Sequence, residues 1–474
     1  MYKLVKLKKI ANVTTGFPFK GETYSDEGIR VVRGENVTIG SLRWDSIKCW
    51  NQKFDQFEKY SLREGDVVIG MDGSRVGKNR ARISATDLPL LLAQRVACLR
   101  SKELSDQNFI YYLIRNNRFE EFVFKIQTGS SIPHISQKQI EEFAVPFPPL
   151  NIQKNISALL LNLDSKIELN NRINRELEQM AKLLYDYWFV QFDFPFDFAQ
   201  GKPYSPPSEG CPQDGVGNSP PTEGWLKAGV GIGKPYKSNG GKMVWNEELK
   251  REIPEAWKVE NLSEVTSSIM RGISPKYLDE GGICVLNQKC IRDQEVKFEF
   301  SRRHDHELKS ASSKLIQYGD VLVNSTGFGT LGRVAIVKWL QEQTTAVDSH
   351  ITIVRCENES IKKLFLGYSM LMRQSEIEGL AEGSTGQTEL SRVNLGQLKM
   401  VISPIELQSR FERFAEPLIQ KMAVNESENQ QLASLRDWLL PMLMNGQVTV
   451  GAKEKVNYEV TEGMDVAAEP GGNV

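Results

Sequence analysis

The chain is written twice. YKLVKLKKI from Tyr2 returns as WKVENLSEV from Trp257, and EGDVVIGMDG (64–73) returns as YGDVLVNSTG (318–327), with Gly65-Asp66 over Gly319-Asp320. LLAQRVACLR (91–100) matches AVDSHITIVR (346–355), TGSSIPHIS (128–136) matches EGSTGQTELS (382–391), and AVPFPPLNIQ (144–153) matches KMVISPIELQ (399–408). Five matches in one order at an offset of 254 to 255 residues mark two homologous halves. So long a period means duplication of a domain, not a solenoid array.

Each half has the same grammar. Short alternating runs punctuated by Gly, Asn and Asp read as strands; in the first copy these are VVRGENV, DVVIG, RARISA and QRVACLR. A helical stretch over roughly 107–125 follows, then a Gly-Ser loop, and Pro148-Pro149 or Pro404 opens a long helix. In the first long helix Ile156, Leu163, Asn170, Leu177 and Leu184 keep a seven-residue register, with Leu159, Ile173, Met180 and Tyr187 at companion positions. The second repeats it with Phe411, Leu418, Asn425, Leu432 and Leu439, beside Phe414, Leu435 and Met442. Sustained heptads predict coiled-coil rods that pair within the chain. Asn170 and Asn425 are both central; in an antiparallel pair their amides meet and set the register, or else each turns toward solvent or a partner.

The predicted fold class is α+β: two homologous mixed α/β domains separated by two long antiparallel α-helices, an intramolecular coiled coil with pseudo-two-fold internal repeat. The expected division is a first domain over 1–150, a spacer helix over 151–190, a connector over 191–244, a second domain over 245–403, a second spacer helix over 404–446 and a flexible tail over 447–474. Residues 199–241 hold 10 Gly and 7 Pro, a composition that predicts a loose connector.

Other signals exclude more than they assign. At 474 residues the chain exceeds one ordinary core. Its apolar runs are too short for a membrane span, its start lacks a signal-peptide stretch, and six scattered cysteines without CxxC spacing predict a reduced, cytoplasmic protein. The net charge of −1 does not bear on nucleic acid, which requires only a local basic face. GFGTLG (327–332) spells a dinucleotide fingerprint, but RVAIVKW reads as a strand where a helix is required, so a tight turn is the better account. DGSRVGKN (72–79) has Asp and Asn where a P-loop needs Gly and Ser or Thr. His304 and His306 lack a third metal ligand, so SRRHDHELKS reads as a solvated, phosphate-facing loop. No methylation tetrapeptide or nuclease cluster is evident, so the chain is expected not to be an enzyme.

LRDWLLPMLMNGQV (435–448), GKMVWNEELKREIPEAW (241–257) and the alternation of domain and long helix resemble the specificity subunits of type I restriction–modification systems. The resemblance implies two target-recognition domains on double-stranded DNA, two methyltransferase subunits docked on the helices, and motor-nuclease restriction subunits. It implies no cofactor in this chain, with S-adenosylmethionine, ATP and Mg held by partners. Two alike modules with unlike loops would read a bipartite, asymmetric target. A fused restriction–methylation enzyme would need a methyl-donor site, and a structural coiled-coil adaptor would leave the duplicated loop-rich modules without a purpose.

Arg or Lys reads guanine, Asn or Gln reads adenine, and small hydroxyls position phosphates. On that chemistry the DNA-contact candidates are Arg33, Asn36, Ser74, Arg75, Gln94, Arg95, Thr128, Ser130 and Ser131 in the first copy, with Lys78, Arg80 and Arg82 for phosphates. In the second they are Asn287, Gln288, Ser325, Thr326, Ser349, His350, Ser384, Thr385 and Gln387, with Arg302 and Arg303 for phosphates. Gly65-Asp66 and Gly319-Asp320 read as turn formers. Lys154, Lys166, Arg172, Lys182, Arg410, Arg413, Lys421 and Arg436 read as helix-surface charges facing solvent or partner subunits.

Overall fold

The computed structural model describes residues 2–128, 132–195, 235–327, 329–357, 360–382 and 388–450. Ser130, Ser131, Ser384, Thr385, Gln387, most of the expected connector and the tail from 451 lie outside them. The chain divides into two compact units. Unit 1 is Met1–Leu169 with Glu428–Val474, and unit 2 is Asn170–Ser427.

In unit 1 a four-stranded antiparallel sheet runs in the order 11–15, 96–101, 67–70, 80–82. The run VVIG is buried throughout because both faces are covered: Val67 and Ile69 enter one apolar cluster, Val68 the other. Period-two geometry sends successive side chains to opposite faces, so a strand buried on both sides must be apolar at every position. A second sheet pairs Ile29–Val32 with Cys49–Trp50 and, in parallel, with Leu90–Leu92. Leu4 opposite Pro146 closes the domain where its ends meet.

Unit 2 repeats this plan: strands 268–271, 351–355, 321–324 and 334–336 in the same order, and a second sheet with Ile283–Leu286 parallel to Thr345–Val347. Lys258 pairs with Ile402 as Leu4 does with Pro146. The expected helix over 107–125 is two, Gln107–Arg115 and Asn117–Ile126. The side chain of Asn116 caps the second by accepting from the Arg118 N–H at 3.0 Å. Tyr236 from the far end of the expected connector stacks on Phe194 with centroids 4.6 Å apart, and Phe194 stacks on Trp257 at 5.4 Å. Both ends of that stretch are thus packed in unit 2.

Two long helices, Leu150–Tyr185 and Ile405–Asn445, each contribute to both units. Within each unit their segments pack antiparallel. In unit 1 Ile156 and Leu160 share a core with Leu440, Leu443 and Met444, each buried side chain contributing about 1.5–3 kcal/mol. Asp164 accepts from Arg436 at 2.7 Å, so Arg436 is committed to the helix pair. In unit 2 Tyr185 meets Phe411 and Trp188 meets Phe414, with centroids 5.5 and 6.1 Å apart. Of the heptad positions, Ile156, Asn170, Leu184, Phe411 and Asn425 are buried, and Leu163, Leu177, Leu418, Leu432 and Leu439 are half-buried. Leu435 is exposed, contrary to expectation. Pro417 sits inside the second helix on an exposed face.

The amide contact differs from expectation in register. Asn425 donates its side-chain N–H to Oδ1 of Asn174 at 2.8 Å, and Asn174 donates to the Met422 carbonyl at 3.3 Å. A heptad pattern defines which face is buried but not the axial stagger, so the partner lies one turn from the position that symmetry suggested.

Candidate nucleic-acid interface

In each unit three loops are tied to one residue at the end of a central strand. In unit 1 Met71 donates its N–H to the Arg95 carbonyl at 2.9 Å, and its own carbonyl accepts from Ile135 N–H at 2.9 Å. In unit 2 Ser325 donates to the His350 carbonyl and accepts from Leu390 N–H, both at 2.9 Å. The residues correspond through the repeat. The Gly turn, the two-residue turn before the next strand and the loop ahead of a short capped helix therefore share one frame in both units. Backbone bonds hold the frame, which leaves its side chains free to differ.

On the frame of unit 1, Ser74, Arg75, Gln94 and Arg95 are exposed. Arg95 sits at φ 66°, a left-handed backbone that costs a non-glycine residue about 1–2 kcal/mol. Its Nη1 lies 3.0 Å from Oδ2 of Asp72. Thr128 bonds His134 Nε2 at 3.0 Å, closing the third loop. Lys78 is exposed, 4.0 Å from Glu120. Arg82 is half-buried. Arg33 is spent locally, on Glu35 and on the Ser46 carbonyl at 3.1 Å.

On the frame of unit 2, Ser349 and His350 are exposed, and Nδ1 of His350 lies 2.6 Å from the Thr326 hydroxyl. Arg302 stacks on Tyr277, its guanidinium carbon 3.4 Å from the ring centroid. Gln288 is half-buried beside Gly327, whose φ of 105° is a backbone that favours glycine.

Several expected contacts belong to the fold instead. Asn36, 2% exposed, donates to the Arg43 carbonyl at 2.9 Å and accepts from Arg33 N–H at 3.0 Å. Arg80, 6% exposed, spends its guanidinium on the Gly77 and Arg115 carbonyls and on Glu120. Ser325 is fully buried against the Thr352 hydroxyl at 2.6 Å. Asn287 caps its own turn through Lys289 N–H and donates to the Phe300 carbonyl. Arg303 bonds the Gly281 and Gly282 carbonyls and Glu342. His304, expected in a solvated loop, ends a strand and is fully buried, its ring nitrogens engaged by the backbone of Lys276 and Lys309. A polar residue in a loop is as useful for satisfying buried backbone as for meeting a ligand, and sequence alone does not separate the two.

Asp72 and His134 belong to the frame but were missed as side chains of interest. Asp72 occupies the position equivalent to Thr326, and that correspondence is the signal for it. Among the described residues no group of three or more His, Cys, Asp or Glu side chains is placed to hold a metal ion, and no helix is long and apolar enough to cross a membrane.

The architecture is that of a duplicated recognition protein: one loop frame built twice, each copy seated on paired helices. Residues 1–179 match the family model of the type I restriction modification DNA specificity domain. The chain is 23% identical over 403 residues to the type I restriction enzyme MjaIX specificity subunit of Methanocaldococcus jannaschii, covering 82% of this chain and 81% of that one. It is 24% identical over 412 residues to the HindI specificity subunit of Haemophilus influenzae, covering 82% and 88%. A crystal structure of the type I restriction–modification S subunit from M. genitalium shares the fold, with a TM-score of 0.51 at 15% identity over 94% of this chain and 96% of that one. Over most of its length the chain is therefore similar to type I restriction–modification specificity subunits.

Proposed function

We propose that this chain is the DNA-reading subunit of a type I restriction–modification complex, each unit reading one part of a bipartite, asymmetric target. The observation that carries this reading is the shared three-loop frame: identical backbone bonds present Arg95 and Asp72 in one unit, and His350 and Thr326 in the other. Like scaffolds with unlike side chains suit two different short sequences. The chain itself is non-catalytic. Two methyltransferase subunits carry out adenine methylation with S-adenosylmethionine, and motor-nuclease subunits use ATP and Mg for restriction, all in the cytoplasm.

The test is a map of methylated adenines in cells that express the chain together with its partner subunits. A two-part motif present with the chain and lost without it is expected. A motif that persists without the chain, or methylation of DNA by the purified chain alone with labelled donor, overturns the proposal.

A further inference from the structure

Resting on that reading, we infer that Arg95 is the guanine-reading side chain of unit 1, aimed by Asp72, and that His350, aimed by Thr326, holds the equivalent reading position in unit 2.

Arg95 and His350 correspond through the repeat, as do Asp72 and Thr326. Each reading residue sits in the two-residue turn ahead of the last central strand, and its own carbonyl is bonded to the frame residue Met71 or Ser325. That bond fixes the backbone while the side chain stays in solvent; Arg95 is 66% exposed. Each is then held by the first side chain of the neighbouring Gly turn, at 3.0 Å for Asp72 and 2.6 Å for Thr326. An exposed ion pair contributes little to stability, so the pairing is better explained by orientation. One guanidinium nitrogen meets the carboxylate, and the remaining donors of the fork are left for a ligand with two acceptors in a plane. Guanine O6 and N7 in the major groove are such a ligand. In unit 2 the threonine engages Nδ1 of the imidazole, which leaves Nε2 for a base edge.

A second observation points the same way. Arg95 adopts a left-handed backbone where glycine would be unstrained. Keeping an arginine at such a position costs stability and signals a use for the side chain.

The experiment is a methylated-adenine map of the complex assembled with R95A, R95K, D72A or H350A, each with a thermal melt of the chain. R95A is expected to relax one specified guanine, in one half of the motif only, with discrimination there falling about ten-fold or more. D72A relaxes the same position by less, and H350A relaxes a position in the other half only. A wild-type complex without a two-part motif defeats the functional reading itself. A wild-type motif that R95A leaves unchanged, or that R95A and H350A relax in the same half, overturns the inference while leaving that reading intact. Loss of all methylation in both R95A and R95K together with a lowered melting temperature also overturns it, because Arg95 then serves the fold.

Discussion

Arg100 grips Asp66 through two hydrogen bonds of 2.7 Å, Nε to Oδ1 and Nη2 to Oδ2, and unit 2 repeats the grip between Arg355 and Asp320 at 2.8 and 2.7 Å. The same carboxylates accept the N–H of Arg63 and of Gln317, closing turns in which Gly65 and Gly319 sit at φ 83° and 86°. The bond to Asp66 pushes the Arg100 guanidinium above its ordinary pKa. Asp66-Gly65 is thus a turn former, as its sequence suggests, and also a clamp between two neighbouring strands of one sheet.

Removing one partner of a nearly buried, hydrogen-bonded pair leaves a charge unpaired. Asp66→Asn and Asp320→Asn are each expected to destabilise their unit by about 3 kcal/mol. Chemical denaturation of the chain checks this; a loss below about 1 kcal/mol would reduce the clamp to a surface ion pair.

The amide bridge between Asn174 and Asn425 is predicted to trade stability for register. Asn425→Leu alone strands a half-buried amide oxygen and should cost about 1 kcal/mol. The double leucine variant should instead melt higher than the parent while losing its fixed stagger. The two denaturation curves, measured side by side, decide; a single variant more stable than the parent contradicts the bridge.

Arg95→Gly separates use from strain. Relief of the left-handed backbone should leave stability unchanged or raised by up to about 1 kcal/mol, while the methylation motif loses a base. A variant that is clearly less stable would show that the Arg95 side chain supports the turn.

Glu142 bridges Lys6 at 2.5 Å and Lys8 at 2.6 Å, and these bonds hold its carboxyl down at about 2. A depressed folded pKa means that the pair stabilises fully above the ordinary 4.5 and progressively less as pH falls toward 2. Glu142→Gln should therefore lower the melting temperature at neutral pH and converge on the parent near pH 2. Parallel curves across that range would show the bridge to be idle.

The duplication was legible because five stretches recur in one order, and the helical rods because apolar spacing is a one-dimensional record of which face is buried. The Asn425 partner was not, because stagger between helices depends on packing along their whole contact. Nor was the split between readers and supporters within the loops. Arg80 at the head of a strand and Arg95 in the turn before another are the same residue type, yet one fills a pocket of carbonyls and the other stands in solvent. Only the three-dimensional fate of nearby backbone groups, such as the Gly77 carbonyl, distinguishes them.

Unit 1 is assembled from the two sequence-distant stretches of the chain, and unit 2 from the stretch between. The side chains that complete the first core, Leu440, Leu443 and Met444, emerge from the ribosome after all of unit 2 has been made. The domain translated first is consequently finished last, and a message cut short before codon 428 yields a protein whose middle has all its parts while its leading half has an open seam.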